Sequence, residues 1–95
     1  MDRLLGEIIQ SKDNFVCKHT GEELLLIPLK DNVADFNQYL VLNELGAYIW
    51  DLLDSQSTFG YLHEKVYAEF EVSSTQLKTD LEQFIVSLHQ YTCKQ

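Results

Sequence analysis

At 95 residues, with 45% hydrophobic and 12% aromatic content, the chain has the length of one domain with one modest core and is too apolar to be disordered. Fifteen acids against seven bases give a formal net charge of −8. The imbalance holds in both halves, with seven acids and four bases up to Leu42 and eight acids and three bases after it. No basic patch is therefore on offer for nucleic acid or an anionic membrane, and basic peptides are the tolerated partners. The longest apolar run, Leu24 to Pro28, is far too short to span a bilayer, and no basic-apolar-cleavage pattern marks a secretion signal, so a cytoplasmic protein is expected.

The first eleven residues place Leu4, Leu5, Ile8 and Ile9 at helix-like spacing, weakened by Gly6. A short strand and a flexible arm both stay open for this segment. "NFVCKH" and "ELLLIPL" then read as two strands joined through "TGEE", where Gly21 supplies the positive φ of a tight turn. Pro28 has no N–H and suits the end or outer side of the second strand. "KDNVADFNQ" is a polar excursion, and "YLVL" is a third strand. Cys17 and Cys93 are expected as free thiols. Cys17 and His19 share a strand face, but no two further ligands stand at metal-binding spacing, and His63 and His89 are isolated. No metal or other cofactor is expected.

After Leu42 the apolar period changes from two to about 3.6. Asn43 is a strong N-cap, and Leu45, Ile49, Leu52 and Leu53 recur on one face with Trp50 beside them, a core residue. The segment from Asp54 to Ser57 breaks that helix. Thr58 caps a second, with Phe59, Leu62, Val66 and Phe70 inward and Gly60 costing about 1 kcal/mol relative to alanine. Ser73 and Gln76 have capping-box spacing ahead of a third helix, with a stripe of Leu77, Leu81, Phe84, Ile85 and Leu88. Gly46 is expected to permit close packing near a helix start. The predicted fold is α+β and winged helix-turn-helix-like: a three-stranded antiparallel sheet followed by three helices, in the order β-β-β-α-α-α, as a single domain over 1–95.

The series "LNELGAYIWDLLD" followed by "STFGYLHEKVYAEFEVSSTQLKTDLEQFIVSL" resembles the PqqD family. The matching positions are Leu42, Asn43, Gly46, Ile49, Trp50, Leu52, Leu53, Thr58, Leu62, Phe70, Val72, Asp80, Leu81, Phe84 and Ile85. The resemblance covers about residues 14 to 90. It departs at Gly60 and Tyr61, where the family has acidic helix formers, and at "HQYTCKQ", which lacks a glycine-leucine finish. The first eleven residues lie outside it.

The resemblance implies a peptide-recognition element for ribosomally made, modified peptides. Such a module is non-catalytic. It holds the leader of a precursor peptide as an added strand beside the third strand and presents the rest to a modifying enzyme, such as a radical SAM protein or a lasso-type maturation protease. An edge strand has unpaired N–H and C=O groups that a guest backbone satisfies. The peptide-binding residues this implies are Phe36, Asn37, Gln38, Tyr39, Leu40 and Val41 on the strand side. On the last helix they are Leu77, Lys78, Leu81 and Ile85, with Lys78 facing an acidic leader residue. Pairing along Phe36 to Leu42 would make about four to six hydrogen bonds, each worth about 0.5–1.5 kcal/mol net.

Most of the helix stripe must also serve as ordinary core, and Asp80 reads equally as a paired or a solvated surface residue. Two other classes compete. A DNA-binding winged helix would read with residues 74–88, where Lys78 is outweighed by Asp80 and Glu82, and a helix repelled by phosphate is a poor reader. An enzyme would need a nucleophile with its base, a metal set or a phosphate loop, and none is present. A scaffold role is the remaining alternative.

Overall fold

The apolar run at 24–28 becomes the centre of the sheet. The computed structural model describes residues 1–54 and 57–93. Strand β2 (Glu23–Lys30) pairs antiparallel on one side with β1 (Phe15–Thr20), from Thr20 opposite Glu23 to Phe15 opposite Pro28. The turn between them is two residues long, and Gly21 takes φ +65°. On its other side β2 meets two short antiparallel pieces, β3 (Val33–Ala34) and β4 (Leu40–Leu42). Asp31 and Asn32, both with positive φ, join β2 to β3, as a two-residue hairpin of the twisted type requires.

The third strand is thus interrupted, and Pro28 explains where. Five residues lie between Ala34 and Leu40, opposite only Ile27 and Pro28 on β2. The carbonyl of Pro28 accepts from the Asp35 N–H at 2.8 Å, so its main-chain groups turn towards β3 and β4. The N–H that a continuous ladder would need on that side does not exist. Asp35 closes the excursion instead: its Oδ1 accepts from the Asn37 N–H at 3.0 Å and its carbonyl accepts from the Gln38 N–H at 3.3 Å. Pro28 therefore lies within the central strand, buried, rather than at its end or outer side.

Among the described residues four α-helices complete the fold: α1 (Asp2–Ser11), α2 (Glu44–Leu52), α3 (Phe59–Glu69) and α4 (Ser74–Thr92). Residues 2–11 are neither a strand nor a loose arm, because Leu5 and Ile8 are fully buried and the helix packs beside α4. The order of the fold is thus an added helix followed by the expected strands and helices. Three caps form as the side-chain chemistry requires. Asn43 Oδ1 accepts from the Gly46 N–H (2.9 Å), Thr58 Oγ1 from Tyr61 (3.1 Å) and Ser73 Oγ from Gln76 (3.2 Å). The reciprocal half of the capping box is replaced, since the Gln76 amide donates to Asp80 Oδ1 at 2.8 Å. Of the break expected at 54–57, residues 55 and 56 lie outside the described residues.

One core joins these elements. Leu24, Leu26 and Leu42 from the sheet meet Ile49, Trp50, Leu62, Val66 and the Leu77, Leu81, Ile85 and Leu88 stripe of α4. Phe15 crosses the Trp50 ring edge-on, with centroids 6.3 Å apart. Lys12 closes the C-terminal end of α2: its Nζ donates to the carbonyls of Trp50 and Leu53, each at 2.9 Å, and lies 5.0 Å from the centre of the Trp50 ring. Burial pulls the ammonium pKa below the ordinary lysine value, against the opposing pull of nearby acids. Cys17 and Cys93 are free and exposed. No helix among the described residues is long and apolar enough to cross a membrane.

Candidate functional site

A cleft of about 360 Å³ runs between β4 and the second half of α4. Residues 40–43 form one wall, and Phe84, Ser87, Leu88 and Tyr91 form the other. Asn43 and Phe84 also border a smaller, mainly apolar pocket of about 120 Å³, which continues under the start of α2 to Leu77, Asp80 and Leu81. Gly46 lines this pocket, and its lack of a side chain permits the close packing of the start of α2. A Cβ there would stand 3.2 Å from Leu42 Cβ and 3.3 Å from Phe84 Cε1.

Among the described residues the outer edge of β4 pairs with no other strand. Pro28 directs its carbonyl towards β3 and β4, so by strand alternation Leu26 and Leu24 do the same. Their partners Leu40 and Leu42 then face β2, and Val41 between them turns its N–H and C=O away from the sheet. Its side chain is 43% exposed. Beyond it the apolar surface continues over Tyr39 and Phe36, at 51% and 67% exposure.

Tyr91 fastens the two walls at one end. Its hydroxyl donates to the carbonyl of Gln38 and approaches that of Leu26 at 3.4 Å. Burial raises the phenol pKa above its ordinary value, and the Asp35 carboxylate raises it further. Helix α1 lies on another flank of α4 and leaves the cleft open: Glu7 Oε1 is 3.1 Å from His89 Nε2, and Met1 adjoins Glu82, Gln83 and Val86. The His89 and Arg3 hydrogen bonds lower the Glu7 pKa below the ordinary carboxylate value.

The sequence-derived site residues separate into groups. Leu40 and Val41 line the cleft. Phe36, Asn37, Gln38 and Tyr39 belong to the excursion ahead of it, so the continuous edge expected over 36–42 is a three-residue strand preceded by a turn. Leu77 and Leu81 are buried core residues whose surfaces floor the smaller pocket. Ile85 is fully buried and borders neither cavity. Lys78 lies in a different depression, with Phe59, Gly60 and His63 of α3. Phe84, which the sequence assigns to the core stripe, and Tyr91, which it assigns to the chain end, line the cleft together with Ser87, which it does not single out. The helical period marks the inward face, and these residues sit on its flank.

The chain matches the family model described as Coenzyme PQQ synthesis protein D (PqqD) over residues 23–92, which leaves α1 and β1 outside the match. A solved structure of TbiB1 in complex with the TbiA(beta) leader peptide aligns with 82% of this chain and 85% of that one, at 26% identity and a TM-score of 0.66. No curated protein matches the chain.

Proposed function

The chain belongs to the PqqD family, and on that premise we propose that it is a non-catalytic module that captures the leader of a ribosomally made precursor peptide. The observation that carries this reading is the cleft itself: an outward-facing backbone at Val41 beside apolar walls from β4 and α4. A guest in extended form exchanges main-chain hydrogen bonds with that edge and lays alternate side chains against α4. The bound leader in the TbiB1 structure supports such a guest. Backbone pairing at so short a strand contributes little alone, so apolar anchors from the guest carry most of the affinity. The nearest pockets for them are those floored by Leu77, Leu81 and Phe84.

In this reading the module works in the cytoplasm and hands its cargo to a modifying enzyme, a radical SAM protein or a lasso-type maturation protease. The test is an NMR titration of the isotope-labelled full chain with the synthetic leader of a short precursor encoded beside its gene. Amide shifts gathered on residues 40–43 and 84–91 are the expected result. Shifts gathered on the β1–β2 hairpin would overturn it.

A further inference from the structure

Acidic groups stand beyond both ends of the cleft, and among the described residues no cation lines its walls. At one end Asp35 holds the excursion that delivers Gln38 to Tyr91. At the other, Asp80 borders the apolar pocket beside Asn43 and Phe84. Asp35 is half-buried and Asp80 is exposed. Neither has an ion-pair partner among the described residues: Asp35 accepts from a main-chain N–H, and Asp80 accepts from the neutral Gln76 amide. Among the described residues no Lys, Arg or His lines either cavity. Lys78, the one cation the sequence placed here, lies on the α3 side of α4.

The two walls give the separation of these ends independently. From Gln38 to Asn43 the chain, with β4 at its centre, covers at most about 17 Å at ~3.3 Å per residue. From Asp80 to Tyr91 a helix covers about 16 Å at 1.5 Å per residue. A guest strand of the same length places its end residues about five positions apart.

We infer that Asp35 and Asp80 select a leader whose extended, apolar segment is flanked by a basic residue at each end, about five positions apart. The inference rests on the leader-capture reading and names the chemistry that it requires. A charge at each end fixes the register of a guest whose backbone hydrogen bonds would otherwise tolerate sliding by two residues. The overall charge of −8 adds attraction at longer range.

Display of randomised peptides of about twelve residues on the full chain, followed by NMR mapping of the enriched ones, tests this. Enriched peptides that map to residues 40–43 and 84–91 should carry Lys or Arg at two positions five to six apart. Replacing either basic residue by Gln should weaken binding about two- to fivefold at low salt, the range of exposed ion pairs, and less at high salt. Asp35→Asn and Asp80→Asn keep the Oδ1 acceptors that serve Asn37 and Gln76, so each should abolish the effect of one basic residue and spare that of the other. Cleft-bound peptides without a basic preference would overturn the inference and leave leader capture standing. Enrichment of no peptide that maps to the cleft would overturn both.

Discussion

The Tyr91 hydroxyl donates to the main-chain carbonyl of Gln38 and so ties the end of α4 to the approach of β4. This bond joins the two walls at one end of the cleft. Tyr91→Phe keeps the ring contact with Phe15, at 5.7 Å between centroids, and removes only the hydroxyl. We expect a stability loss of about 0.5–1.5 kcal/mol in chemical denaturation. Amide exchange at residues 40–42 should quicken more than exchange in α3, which lies away from the bond. An equal change in both would show that the hydroxyl does not position β4.

Val41→Pro separates peptide capture from folding. The Val41 N–H faces away from β2, so its removal takes a hydrogen bond from the guest and none from the sheet. Folding stability should fall by no more than about 1 kcal/mol, while leader binding in calorimetry weakens about tenfold or more. Unchanged affinity would place the guest somewhere other than the β4 edge.

Gly46→Ala sets helix propensity against packing. Alanine favours the helix by up to about 1 kcal/mol. Its Cβ meets Leu42 Cβ, which is held by the sheet, and the edge of the Phe84 ring, which borders the cleft. The ring should yield, so thermal stability should change by no more than about 1 kcal/mol while leader affinity falls. A stabilised variant with unaltered affinity would mean that the space beside Gly46 is not needed.

What was legible in the sequence was whatever depends on neighbours along the chain. Asn43, Thr58 and Ser73 cap their helices because the donor each one serves lies three residues ahead. The inward stripes of α2, α3 and α4 follow from period alone, and the β1–β2 hairpin follows from the turn chemistry of Gly21. The rest depends on distant partners. Helix α1 was obscured because Gly6 weakens its propensity and its stability comes from Leu5 and Ile8 meeting a core built much later in the chain. The broken third strand follows from a missing N–H on another strand, at Pro28. In the site, Leu40 and Val41 were legible as an edge. Phe84 and Tyr91 were not, since a groove between two elements has no periodicity in either.

Lys12 makes another long-range contact, and it is testable. It spans 38 residues to Trp50 and 41 to Leu53, and supplies the cation that the end of α2 lacks in its own last turn. Lys12→Met keeps much of the aliphatic stem over Trp50 and removes both donors. We expect a loss of about 1–2 kcal/mol by denaturation, with α2 fraying from its C-terminal end in amide exchange. Leader affinity should change little, because Lys12 borders neither cavity.

The contact between Glu7 and His89 makes the docking of α1 depend on pH. Hydrogen bonds from His89 and Arg3 favour the ionised carboxylate, so the folded-state pKa lies below the ordinary value of 4.5. A depressed carboxylate pKa contributes stability that is fully present above the unfolded value and is lost as pH falls through the folded one. Exchange protection in α1 should therefore hold from neutral pH down to about 5 and decline below the ordinary carboxylate range. Protection within the sheet should decline less over that step. Glu7→Gln should show weaker α1 protection at neutral pH and lose most of the acid-induced change. If Glu7→Gln declines with acid as steeply as the unaltered chain does, other carboxylates hold the helix in place.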